Sequence, residues 1–168
     1  PDGGDGDDEL ILGTSSDPFA RPSLAWGGTG ADVITGGDGF DDLYSDQWQD
    51  PEEGYSSFNP HFPEFYHLPT LDRGAEVDQI SAGAGDDFVS IGYGDSADGG
   101  TNEGWSVGDI LFLSLAASPT GLTVDFRDTT LSIGGGTITG FEAVNYVEGS
   151  EHNDVFTFSS SPFPLYPA

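Results

Sequence analysis

Apolar residues in this chain come singly or in short runs, and glycine, aspartate or proline punctuates the spaces between them. The pattern is most regular over residues 27–44, where GGTGADVIT runs directly into GGDGFDDLY. Ile34 and Leu43 stand nine residues apart there, each two residues after an aspartate. Apolar runs this short, flanked by turn formers, predict strands of a few residues. No stretch carries a helical period of useful length, so the expected fold is all-β. Glycines between the strands predict turns with φ > 0, a backbone region that residues with a Cβ resist. Neighbours along a strand alternate faces, which sends each repeated apolar residue into a narrow core. The last third reads differently. Residues 109–114 (DILFLS), 122–126 (LTVDF), 131–134 and 137–147 are strand-like stretches separated by glycine clusters such as 134–136.

Both nine-residue units obey G-G-x-G-x-D-x-U-x, where U is a large apolar residue. Residues 3–11 (GGDGDDELI) match as well, and 82–90 (AGAGDDFVS) match with alanine in the first place. Weaker copies lie beside them: 12–20 (LGTSSDPFA) puts Asp17 nine residues after Asp8, and 73–81 (RGAEVDQIS) puts Asp78 nine residues before Asp87. The pattern resembles the RTX (repeats-in-toxin) calcium-binding nonapeptide, which implies a parallel β-roll, a right-handed β-helix, wound around Ca²⁺. The residue types suit that chemistry, since carboxylates and turn carbonyls are the hard oxygen donors Ca²⁺ prefers. By the resemblance several ions are held by Asp8, Asp17, Asp32, Asp41, Asp78 and Asp87. Asp109 continues the set, and Asp154 joins it from a degenerate unit at 149–157 (GSEHNDVFT). Carbonyls of Gly4, Gly6, Gly28, Gly30, Gly37, Gly39, Gly83 and Gly85 complete the implied sites.

In such a roll two nonapeptides complete one coil, so Asp8 pairs with Asp17, Asp32 with Asp41 and Asp78 with Asp87. Asp8, Asp32 and Asp78 then line one edge, and Asp17, Asp41, Asp87 and Asp109 the other. Alternation points their neighbours Asp7, Asp42 and Asp86 outward. The spacing between coils is 24 and then 46 residues, so the excess leaves as loops, one within 18–26 and one from 45 to about 71. Beyond Asp87 the register is ragged. Residues 91–99 (IGYGDSADG) put Ser96 at the ligand place with Asp95 and Asp98 nearby, and a small insertion at 101–107 precedes Asp109. The reading is one domain: repeats at 1–44, an aromatic and proline-rich insertion at 45–72, repeats at 73–109, and a β-rich flank or cap at 110–168.

Charge narrows the partners. Thirty acidic residues face three basic ones, a net −27, which disfavours nucleic acid and anionic membrane surfaces. The same charge predicts an expanded chain until cations neutralise it. Cysteine is absent, which excludes disulfides and thiol chemistry, and no apolar run approaches the ~18 residues of a membrane span. The insertion carries Trp48, Tyr55, Phe58, Phe62, Phe65 and Tyr66. These aromatics either cover an open face of the roll or form a platform for a glycan or protein partner. His61 and His67, six residues apart among prolines, give only a weak metal-pair signal. Residues 104–108 (GWSVG) spell a nucleophile-elbow pattern but lack the strand before and the helix after that such an elbow needs. No H-E-x-x-H occurs, so no enzyme is expected. The resemblance implies export by a type I system and a secreted or cell-surface calcium-binding protein with a structural or adhesive role. Two alternatives stay open: a self-assembling surface-layer or filament subunit, and an auxiliary module of a secreted polysaccharide-active enzyme or toxin. Self-association is expected through the abrupt first repeat and the aromatic insertion.

Overall fold

Why nine-residue units pack is visible in how the chain shuttles between two sheets. A computed structural model describes residues 1–14, 23–46, 71–102 and 108–158, and among these every regular element is a strand. In chain order they are β1 (Asp2–Asp5), β2 (Glu9–Ile11), β3 (Ser23–Thr29), β4 (Val33–Thr35), β5 (Asp41–Tyr44), β6 (Gln79–Ser81) and β7 (Phe88–Ile91). There follow β8 (Ser96–Asp98), β9 (Ile110–Ser114), β10 (Thr123–Asp125), β11 (Thr130–Ile133), β12 (Gly136–Thr139), β13 (Ala143–Glu148) and β14 (Val155–Thr157). One six-stranded sheet has the order β1-β3-β5-β7-β9-β13 and the other β2-β4-β6-β8-β12-β11. All neighbours are parallel except the β11–β12 hairpin, and β10 and β14 form a separate parallel pair. From β1 to β8 each strand of the first sheet and the next strand of the second make one rung, stacked on the rung before.

The register puts like on like. Ile34 lies between Leu10 and Ile80 in the second sheet, and Leu43 between Ala25 and Val89 in the first. The middle residue of β2, β4 and β6 is buried while its neighbours are not, as the period of two requires. These inward columns meet in a single core that includes Leu10, Ala25, Ile34, Leu43, Ile80, Val89 and Leu111. The outer face of the first sheet carries rings instead. Trp26 stacks on Tyr44 at 6.0 Å, and Phe88 packs edge-on against Phe40 at 5.2 Å.

Two expectations need correction. The stretch read as a loop within 18–26 contains the start of β3, whose Leu24-Ala25-Trp26 alternates correctly with Ala25 in the core. Its core residue is small and the strand runs on into Gly27 and Gly28, which disguises it. The insertion read as 45–72 is shorter at both ends, because Ser45, Leu71 and Asp72 are buried parts of the packed structure. Asp17, the insertion's aromatics with His61 and His67, and Ser106 of the G-x-S-x-G pattern lie outside the described residues.

Candidate metal centre

Nearly every parallel strand is introduced by an acidic residue, and these line up in two rows. Asp8, Asp32, Asp78 and Asp95 immediately precede β2, β4, β6 and β8. Oδ1 of the last three accepts the backbone N–H of the acid one rung earlier: Asp32 from Asp8 at 2.8 Å, Asp78 from Asp32 at 2.7 Å, and Asp95 from Asp78 at 2.9 Å. The second row runs through Asp41, Asp87, Asp109 and Glu142. Asp87 accepts from Asp41, Asp109 from Asp87 and Glu142 from Asp109, each at 2.8 Å. These are charge-assisted bonds to backbone groups at strand starts, where the sheet ladder has not yet begun.

The structure thus brings Asp8, Asp32 and Asp78 together on one edge and Asp41, Asp87 and Asp109 on the other. Asp95 takes the place expected for Ser96, because its turn is one residue shorter. The Gly92 N–H reaches Asp95 Oδ2 from three residues away at 2.7 Å, whereas Gly37 reaches Asp41 Oδ2 from four. Glu142 was not anticipated; its only signal is an acid directly before the run that forms β13. The place beside Asp41 in the preceding rung, expected for Asp17, is filled by Ser23.

What distinguishes the carboxylates is the second oxygen. Asp41 and Asp95 spend theirs on a turn N–H, and Asp109 Oδ2 lies 3.3 Å from Asn102 Nδ2. Oδ2 of Asp8, Asp32 and Asp87 is buried and, among the described residues, receives no hydrogen bond. Beside Asp32 this oxygen lies against Gly27. A Cβ there would sit 2.5 Å from it and still closer to the carbonyl oxygen of Ser45. The same arrangement recurs at Gly3, between Asp8 Oδ2 and the carbonyl of Gly27. A carboxylate oxygen and a carbonyl oxygen of the next rung therefore flank one glycine, acceptor facing acceptor. Burying such oxygens without a donor is costly, and a hard cation is what this donor set fits.

Glycine carbonyls stack along the same edges. Gly4, Gly6, Gly28, Gly30, Gly39, Gly83 and Gly85 all have φ between 95° and 141°, while Gly37 lies outside that region. A Cβ at Gly28 would collide with the Gly4 carbonyl, and one at Gly85 with that of Gly39.

Burial dominates the electrostatics. It pushes Asp78 up to about 8, with the charges of Asp95, Asp72 and Asp32 adding to it. Asp87 rises to about 7 for the same reason, reinforced by Asp109, Asp41 and Asp86. Asp109 rises to about 6 by burial, with Glu142 and Asp86 adding. Burial also raises Asp32 and Asp95. The two described arginines are engaged elsewhere, Arg73 with Glu148 and Arg127 with Asp125.

Asp154 stands apart. Its Oδ1 accepts from the Leu122 N–H at 2.8 Å and its Oδ2 from the Ser150 N–H at 2.7 Å, and the Ser150 hydroxyl bonds it too. The Leu122 N–H and then those of Ser150 hold it below the usual carboxylate range. It repeats the rung bond for the β10–β14 pair, with both oxygens occupied. Of the three neighbours expected to point outward, Asp7 is exposed and Asp86 half-buried. Asp42 corrects the expectation. It faces away from the core but is 2% exposed, on a face where Leu24 and Phe88 flank it in register, and burial beside Asp41 pushes it up to about 7. A further group escapes the repeat pattern: Asp72, Asp78 and Asp95 are all buried and each brings a carboxylate oxygen within 4.8 Å of the others. In comparisons with known proteins, no family model, no curated protein and no solved structure matches the chain.

Proposed function

We propose that this chain is a calcium-binding β-roll of the RTX type, an extracellular module whose folding is driven by Ca²⁺ and whose role is structural or adhesive. The observation that carries the reading is the set of buried, donorless Oδ2 atoms of Asp8, Asp32 and Asp87, two of them facing a carbonyl of the next rung across a glycine. Two parallel sheets built from alternating strands, stacked glycine turns and two carboxylate rows support it. A bound divalent cation would supply the positive charge that a chain of net −27 lacks. The chain's own residues do the rest. Oδ1 of Asp32, Asp78, Asp87, Asp95 and Asp109 ties one rung to the next, Oδ2 of Asp8, Asp32 and Asp87 stays available, and glycine keeps the space between rungs clear. Such sites do not exist in the unfolded chain, so binding free energy becomes folding free energy. The reading assigns no catalysis. It places the protein outside the cell by type I export and leaves residues 47–70 as the contact region for a glycan or protein partner. Circular dichroism in chelator and then in millimolar Ca²⁺, with ions counted by calorimetry, tests it. A chain equally folded in chelator overturns it.

Calcium-dependent self-association has its own support. Among the described residues β1 and β2 are end strands of their sheets, and Ile11, the last residue of β2, is 69% exposed. Open parallel edges invite pairing with another chain. Light scattering during a Ca²⁺ titration decides, and a strictly monomeric particle at saturating calcium retires the idea.

A further inference from the structure

The second sheet turns outward a face that takes no part in the acid rows. Alternation along β4, β6, β8 and β12 leaves Thr35, Gln79, Ser81, Asp98 and Thr137 exposed above the buried Ile34 and Ile80. A groove of about 320 Å³ lies on this face and is lined by residues of all four strands. Three interstrand spacings of ~4.8 Å make it about 14 Å long. Its volume is within the range of small-ligand sites.

Two properties of the groove select its occupant. The first is charge. A chain with 30 acidic residues against three basic ones puts one acid, Asp98, and no base on the outward positions of these four strands. An anionic polymer is repelled by the whole chain, and so is a second copy. The second property is unused hydrogen-bonding capacity. Ser96 Oγ accepts the Thr137 N–H at 3.2 Å, the hydroxyls of Thr130 and Thr139 meet at 3.3 Å, and Asp98 Oδ1 accepts the Gly100 N–H at 3.1 Å. Among the described residues, the side chains of Thr35, Gln79 and Ser81 and Oδ2 of Asp98 make no hydrogen bond. Hydroxyls and the glutamine amide both donate and accept, as sugar hydroxyls do, and a carboxylate accepts from them. The large apolar residue turned outward here is Val33, 38% exposed, which is too little surface to hold an apolar protein partner.

We infer that this groove binds a linear neutral glycan laid across β4, β6, β8 and β12, with Gln79, Ser81 and Asp98 as its central contacts. The strands are parallel here, and Thr35, Ser81, Asp98 and Thr139 lie in register, one polar group per strand. An extended oligosaccharide therefore meets a donor or acceptor at each strand it crosses, while its C–H faces rest on Val33 and the threonine methyl groups. The inference gives the adhesive role proposed above a partner and rests on that reading. The groove lies on the roll itself and uses none of residues 47–70.

Isotope-labelled protein in calcium, titrated with cellohexaose, xylohexaose and mannohexaose and followed by NMR, tests this. At millimolar concentration at least one of them should shift the amide signals of Gln79, Ser81 and Asp98 and leave those of β3 and β5 in place. Ser81→Tyr fills the groove and should weaken that glycan at least tenfold. Ser132→Tyr, exposed on β11 outside the groove, should bind it as the wild type does. Oligogalacturonate, an anionic glycan, should bind at least tenfold more weakly. Calcium counts of both variants should match the wild type, which separates a blocked groove from a lost fold. If none of the three neutral glycans shifts those signals, if Ser81→Tyr binds undiminished, or if the anionic glycan binds more tightly, the inference falls and the calcium reading stands. A chain that folds without binding calcium overturns the calcium reading alone, and the same titration still decides the groove. Should Ser81→Tyr fail to fold, Gln79→Ala and Asp98→Asn remove contacts without filling the space, and undiminished binding by both is equally fatal.

Discussion

Without metal this protein should be most stable in mild acid and lose stability as pH rises toward 8. Asp78, raised to about 8, and Asp87, raised to about 7, keep protons in the folded chain that the unfolded chain releases near 3.8. Between those values the folded state binds more protons, so stability falls with rising pH. The contribution is complete below 3.8 and is lost as pH passes through each raised value, a window from 3.8 to about 8. One carboxyl protonated only when folded changes stability by about 1.4 kcal/mol per pH unit. Asp78 and Asp87 sit in different rows, and the two together contribute at most roughly 2–3 kcal/mol per unit between pH 5 and 6. The charge of Asp95 acts on Asp78, which spreads their share over a broader range. Burial raises Asp42, Asp95 and Asp109 too, in the same sense. Asp125, Glu148 and Asp154 work the other way. Hydrogen bonds from Arg127 hold Asp125 down at about 2. Glu148 is lowered by Arg73 and Ser114 against the effect of its burial, and Asp154 by backbone N–H groups. Stability from these three is present above their unfolded values and lost as pH falls, so the metal-free optimum lies near pH 4–5. Urea unfolding followed by circular dichroism in metal-free buffer from pH 4 to 8 measures the slope. Repeated in millimolar calcium the slope should change sign, because the ligands must be deprotonated to bind. Metal-free stability that is flat or rising between pH 5 and 7 refutes the reasoning.

Two further comparisons separate row residues from their neighbours. Asp41→Ala removes the start of a rung and should lower calcium affinity at least tenfold, whereas Asp42→Asn should leave the ion count unchanged and stabilise the metal-free chain above pH 7; equal calorimetric losses would mean the row is misassigned. Gly27→Ala drives a methyl against Asp32 Oδ2 and the Ser45 carbonyl and should cost about 1–3 kcal/mol together with calcium affinity. Gly13→Ala, with nothing within 4 Å and no positive φ, should stay within about 0.5 kcal/mol, and thermal melts in calcium compare the two.

The repeat made much of this legible because one period sets both core and edge. Ile34 and Leu43 are inward for the same reason that Asp32 and Asp41 stand at strand starts: the unit length fixes strand, turn and face together. Legibility failed where that period slipped. One residue fewer after Gly92 moved the row from Ser96 to Asp95, a change no local preference announces. β3 was hidden because its inward residue is only an alanine. Asp72 was invisible in principle, since its place beside Asp95 depends on where a long excursion returns. Asp42 shows the limit of alternation, which gives the face a side chain takes and says nothing of what lies over that face.

The row carboxylates do two jobs, and the division between their oxygens explains how a chain this acidic can stack strands at all. In Asp32, Asp78, Asp87, Asp95 and Asp109 Oδ1 replaces a backbone acceptor, so these acids are bound into the sheet edge whatever happens at Oδ2. Losing that bond leaves a buried N–H unpaired, a penalty of about 1–3 kcal/mol per rung. Oδ2 is where the charge is exposed to its neighbours, and there proton and metal compete for the same position. Where a turn N–H already occupies it, as in Asp41, Asp95 and Asp154, the acid leans toward structure. Where no donor among the described residues occupies it, as in Asp8, Asp32 and Asp87, the oxygen is the one the calcium reading assigns to a cation. Asn at Asp32 and Asp87 keeps an acceptor for the rung bond and discards the charge. It should therefore free folding from calcium, while Ala should abolish folding with or without the ion.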